Sequence, residues 1–113
     1  MTTGTYGVAE VTGADFATEV LGAELPVLVK FTADWCPPCR QIAPVLGAVA
    51  QESADRLKVV ELNVDRNPEL AMEYGVMAMP TLIVFTGGEP VRSMVGARPK
   101  RKLLEELEDV LTR

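Results

Sequence analysis

An α/β fold, with a central mixed sheet of five strands flanked by four helices, is predicted by three features of this sequence. Short β-branched runs alternate with stretches of helical periodicity. Two of those runs, at 26–31 and 81–85, are almost continuously apolar, as strands covered on both faces must be. A Gly87-Gly88 pair then turns one late strand back beside another. The implied order is β-α-β-α-β-α-β-β-α: a parallel part, then a hairpin and a closing helix.

Taken in order, Gly7-Val8-Ala9-Glu10-Val11 reads as a short first strand. Thr12 stands three residues before Asp15, a capping-box-like start for a helix carrying Phe16, Val20 and Leu21. Pro26-Val27-Leu28-Val29-Lys30-Phe31 is a buried strand interrupted by one charge, Lys30. From Cys36 to about Ser53, Ile42, Val45, Leu46 and Val49 recur at helical spacing, and Pro44 within that stretch is expected to kink the helix without ending it. Leu57 to Val64 forms the next strand. Asn67 as cap, Pro68 in the first turn and Gly75 beyond the last define a short third helix. Thr81-Leu82-Ile83-Val84-Phe85 is a buried strand, and Val91 to Val95 pairs with it across the Gly-Gly turn. Leu103, Leu104, Leu107, Val110 and Leu111 make the apolar stripe of the last helix. Its first turn, Lys100-Arg101-Lys102, opposes the helix dipole, and an Arg101–Glu105 pair is the available compensation.

The 113 residues suit one domain, 1–113, with about five leading residues as a flexible tail. Hydrophobic residues make up 48% of the chain, enough for a core without staples or metal. A net charge of −5 argues against nucleic acid or an anionic membrane surface as partner. The start of the chain lacks the basic and apolar regions of a secretory signal, and no apolar run reaches membrane-spanning length. A cytoplasmic location is therefore the expectation for a chain that is complete as written.

The two cysteines, Cys36 and Cys39, are three apart. A disulfide closing so small a loop removes little entropy from the unfolded chain, so it is a poor staple. Trp35-Cys36-Pro37-Pro38-Cys39 lies where a buried strand ends and a helix begins. Unpaired N–H groups and the helix dipole favour a thiolate there, and the thiolate is the form that attacks disulfides. Pro37 and Pro38 suit a helix start and stiffen the turn. On this reading Cys36, toward solvent, is the nucleophile, and Cys39, inside the first turn, resolves the mixed disulfide. Two other readings stay open: half of a zinc site, which lacks histidines or further cysteines to complete it, and a purely structural pair of buried thiols. No dinucleotide or phosphate-loop fingerprint is present.

The segment Phe31 to Cys39 resembles the active-site segment of the thioredoxin family, here as a Trp-Cys-Pro-Pro-Cys variant. Pro44, Asn63-Val64-Asp65 with Asn67-Pro68, Tyr74-Gly75-Val76, Met79-Pro80-Thr81-Leu82 and Gly96-Ala97 extend that resemblance over nearly the whole chain. It implies the thioredoxin fold and a protein-disulfide reductase serving electron transport and cell redox homeostasis. It also implies a monomer with no bound cofactor or metal, whose electrons come from NADPH through thioredoxin reductase. An oxidant or isomerase on the same fold, and a non-catalytic binding module, are the alternatives.

The resemblance further implies a cis bond at Met79–Pro80 that frees the Met79 backbone to pair with an extended substrate. Trp35, Pro37, Pro38, Val76, Met77, Met79, Pro80, Val95, Gly96 and Ala97 would form the substrate-binding collar around Cys36. Val76, Met77 and Val95 are also readable as ordinary core or strand-end residues. Two departures stand out. The family usually has glycine where this chain has Pro37, and a stiffer loop is expected to alter the reduction potential. The family's buried acid falls at Lys30, and its partner lysine at Glu61. A buried Lys30–Glu61 pair of reversed polarity is expected to tune proton transfer, with Glu61 helping Cys39 lose its proton through water. A snorkelling Lys30 beside a surface Glu61 is the simpler alternative.

Overall fold

The computed structural model describes residues 2–3 and 5–112. The chain begins with β1 (Thr2–Thr3), a tight turn over Thr5–Gly7, β2 (Ala9–Glu10) and a π-type helical turn over Ala17–Leu21. It continues through β3 (Val27–Thr32), α1 (Pro37–Glu52), β4 (Lys58–Asn63) and α2 (Pro68–Glu73). A hairpin of β5 (Thr81–Thr86) and β6 (Glu89–Val95) leads into α3 (Lys100–Glu106) and α4 (Glu108–Leu111).

The sheet order is β1-β2-β4-β3-β5-β6. β3 and β4 lie side by side and parallel at the centre, β2 is parallel to β4, and β5 and β6 run antiparallel beyond β3. This is the expected five-stranded mixed sheet, extended at one edge by β1, which pairs antiparallel with β2. Thr2 and Thr3, expected in a flexible tail, thus carry a strand; Met1 and Gly4 of that stretch lie outside the described residues.

Alternation along β3 sorts its side chains onto two cores. Val27, Val29 and Phe31 join Phe16, Val20, Leu62 and Phe85 on one face. Leu28 joins Ile42, Leu46 and Val49 of α1 and Leu103, Leu107 and Val110 of the last helices on the other. The near-continuous apolarity of β3 and β5 has its cause here, since helices cover both faces.

Local chemistry explains most element ends. The Thr12 N–H donates to Asp15 Oδ1 at 2.7 Å, as the capping-box reading requires, but the following helix winds wide, with the Gly22 N–H reaching back to the Ala17 carbonyl at 2.8 Å. Asn67 precedes α2 without capping it. Its side chain instead donates to the Asn63 carbonyl and accepts from the Gly13 N–H at 2.9 Å, tying two loops together. Gly87 and Gly88 have φ of 59° and 84°, the left-handed pair that a two-residue hairpin needs. Pro90 sits on edge strand β6 opposite Phe85, at a register shift, where a missing N–H is tolerated. The expected single C-terminal helix breaks at Leu107. The cations that open it find carboxylates: Lys100 pairs with Glu52 of α1, and Arg101 with Glu105 at 3.5 Å.

Candidate active site

Cys36 is the N-cap of α1, with Pro37 and Pro38 filling the first positions of the helix. A disulfide joins Cys36 to Cys39 across a Cα–Cα distance of 5.2 Å. The Cys36 sulfur accepts the Cys39 N–H at 3.2 Å. The end of β3 therefore delivers one sulfur to the positive end of a 16-residue helix, and a backbone donor already points at it. Opening the disulfide would leave that donor facing the thiolate. The expectation that Cys36 faces solvent needs correction, since Cys36 retains 2% of its surface and Cys39 1%. Area does not distinguish them. Position does: Cys36 precedes the helix beside exposed Trp35, Pro37 and Pro38, whereas Cys39 lies inside the first turn.

The loop that holds Met79 and Pro80 lies against the turn after β6. Met79–Pro80 is cis. The Gly96 N–H donates to the Pro80 carbonyl at 2.9 Å, and Thr81 pairs with Val95, so the Val95-Gly96 segment lies next to Pro80. Val76 and Met79 pack against the core cluster that contains both cysteines. Trp35 is 64% exposed, Val95 59% and Met77 93%, so none of these three side chains belongs to the core. Ala97 packs instead against the core on the α1 side of the sheet.

Lys30 and Glu61 stand opposite each other in the parallel β3–β4 register. Their charged atoms are 3.9 Å apart, with side chains 5% and 12% exposed. Burial holds the Lys30 ammonium below the usual lysine range, and the facing carboxylate of Glu61 opposes that shift. Snorkelling does not describe Lys30. Lys30, Glu61 and Cys39 all line one cavity of about 630 Å³, large enough to hold water.

The sequence reading assigned no role to Asp65, Asn63 or Arg98, whose side chains hold this arrangement. Asp65 accepts the Trp35 indole N–H at 3.0 Å. Asn63 donates to Asp34 at 3.1 Å and accepts the N–H of Asp65 at 2.9 Å. Arg98 donates to the carbonyls of Val95 and Gly96 and grips both carboxylate oxygens of Glu106 at 2.6 Å. It clamps the Gly96 loop to α3. No sequence signal marked it, because its partners lie on a turn and on the next helix. Arg98→Ala is expected to loosen that loop and raise KM for a protein disulfide about fivefold, near 1 kcal/mol, with little change in kcat. Steady-state kinetics on a protein substrate check this.

Among the described residues no group of three or more His, Cys, Asp or Glu is placed to hold a metal. Among the described residues no helix is long and apolar enough to cross a membrane.

A family model described as Thioredoxin matches residues 7–109. The chain is 52% identical over 102 residues to "Thioredoxin" of Mycobacterium tuberculosis, an alignment covering 90% of this chain and 88% of that protein. It is 48% identical over 100 residues to "Thioredoxin 1" of Nostoc sp., covering 88% and 94% respectively. It is also 50% identical over 102 residues to "Bifunctional thioredoxin reductase/thioredoxin" of Mycobacterium leprae, where it covers 90% of this chain but spans only 22% of that longer protein.

Proposed function

The chain belongs to the thioredoxin family and is a thiol–disulfide oxidoreductase acting on protein disulfides, and from this we propose that Cys36 attacks and Cys39 resolves. The observation that carries the assignment is the Cys36 sulfur at the N-cap of α1, bonded to Cys39 and accepting its N–H. In the reduced protein the Cys36 thiolate attacks one sulfur of the substrate disulfide. That bond breaks as the Cys36–substrate bond forms, and the departing substrate sulfur takes a proton. Cys39 then loses its proton and attacks the Cys36 sulfur, expelling the second substrate sulfur as a thiolate. Two electrons have passed to the substrate, and the Cys36–Cys39 disulfide is the state the structure holds.

An extended substrate segment pairs with the Met79 backbone beside Pro80, while Trp35, Pro37, Pro38, Val76, Met77, Val95 and Gly96 supply an adaptable apolar collar. Glu61 draws the proton from Cys39 through water in the shared cavity, and Lys30 balances its charge. The cavity that lines all three residues supports this reading. The dithiol is regenerated from NADPH by a flavoprotein thioredoxin reductase. The name of the Mycobacterium leprae relative, which joins the two activities, favours such a partner. The protein works as a cytoplasmic monomer in a single domain, without bound cofactor or metal and without nucleic acid or membrane.

Cys39→Ser tests the division of labour. The variant is expected to stall as a covalent adduct of one substrate molecule on Cys36, seen as a mass increase that dithiothreitol reverses. Accumulation of the adduct on residue 39 in Cys36→Ser instead would reverse the assignment.

A further inference from the structure

The residues that lead into β2 cross over α1 at Gly47. A Cβ at Gly47 would lie 2.8 Å from the Tyr6 Cβ and 2.9 Å from the Tyr6 carbonyl oxygen, so a larger residue there must displace the Tyr6 backbone. Glycine inside a helix costs about 1 kcal/mol relative to alanine. The helix gives up propensity where the leading segment passes. Tyr6 itself has φ 57°, an uncommon conformation for a residue with a side chain, and Gly7 follows at 80°. These two residues turn the chain from β1, paired with β2, down to Val8, which is buried in the core on the α1 side of the sheet.

Cys39, Ala43 and Gly47 are spaced at four-residue intervals, so one face of α1 runs from the dithiol to this crossing. Tyr6, Cys39 and Ala43 all line the cavity that reaches Lys30 and Glu61. We propose that the Thr5–Gly7 turn forms a strap, seated in the notch at Gly47, that walls one side of this cavity and limits solvent access to the Lys30–Glu61 pair behind Cys39. Glu10 from β2, Asp34 from the loop after β3, Arg40 from α1 and Arg66 from the loop after β4 also face the cavity. Arg66 binds Glu10 at 3.1 Å and approaches Asp34 at 3.7 Å, and Arg40 donates to the Asp34 carbonyl. These charges hold one another, so lifting the strap changes chiefly the hydration of the pair. The strap's effect on disulfide exchange rests on the proton-transfer role given to that pair above; the access it controls does not.

The test is lysine acylation by acetic anhydride, mapped by mass spectrometry, in the parent, in Gly47→Leu and in a variant lacking residues 1–6. Exposed Lys102 is the internal reference. The ratio of Lys30 to Lys102 modification is expected to rise about fivefold in both variants, with native circular dichroism, as opening of the cavity requires. The truncation leaves α1 untouched and guards against a folding defect in Gly47→Leu. An unchanged ratio in the truncated protein overturns the strap. The pH profile of mixed-disulfide resolution, measured on the same samples, separates the two claims. A raised ratio with a shifted profile supports both, whereas a raised ratio with an unshifted profile upholds the strap and overturns the role of the pair.

Discussion

Replacement of Cys36 by serine is expected to lower the reduction of insulin by at least about a thousandfold, because a serine hydroxyl ionises far above neutral pH and forms no mixed disulfide. The assay couples the protein to NADPH and thioredoxin reductase and follows NADPH consumption. The helix N-terminus that favours a sulfur anion at Cys36 has little to act on in a neutral hydroxyl. Turnover that survives the substitution would defeat the catalytic reading of the dithiol. A parent protein that binds disulfide substrates without turnover would be a binding module. The parent's potential against glutathione separates a reductase from an oxidant: a value near −270 mV fits the former, and one near −120 mV the latter. Pro37 makes that measurement informative, since it stiffens the segment between the sulfurs.

The second large effect is expected at the buried pair. Glu61→Gln keeps the shape of the side chain but removes its basicity, and resolution of the mixed disulfide should slow by about a hundredfold near neutral pH. Attack by Cys36, which does not use Glu61, should be little changed. Rapid-quench kinetics with a defined mixed disulfide distinguish the two steps, and an unchanged resolution rate would reject the role assigned to Glu61.

Lys30 has a matching signature in stability. Burial holds its folded-state pKa below the ordinary value of 10.5 that applies in the unfolded chain. Between those two values the unfolded state binds more protons, so the Lys30 contribution to stability rises with pH across that window and is least favourable below it. Lys30→Met should remove this rise. Urea unfolding of parent and variant from neutral pH to about pH 10 checks it, and parallel curves for the two proteins would contradict the burial of a titrating amine.

Much of this molecule was legible in its residues. The apolar runs at 26–31 and 81–85 mark the two strands that helices cover on both faces, and Gly87-Gly88 marks the hairpin. The pair of cysteines around two prolines at a strand-to-helix junction located the site. Other features were misjudged for a physical reason. Asn67 looks like a cap in sequence, yet its side chain is taken by Gly13, 54 residues away. Cys36 was expected to face solvent, but bonded to Cys39 at the start of α1 it retains only 2% of its surface.

What the sequence determined by itself is the class of fold, the succession of its five main strands along the chain and the dithiol chemistry, because periodicity, turn residues and helix ends act over a few neighbouring positions. Only the tertiary structure decided that Lys30 meets Glu61 across a parallel register, that Arg98 clamps the Gly96 loop, and that Tyr6 crosses α1 at Gly47. Each of these contacts joins residues from separate elements. Its energy depends on burial and on register between strands and helices, which no local pattern in the chain encodes.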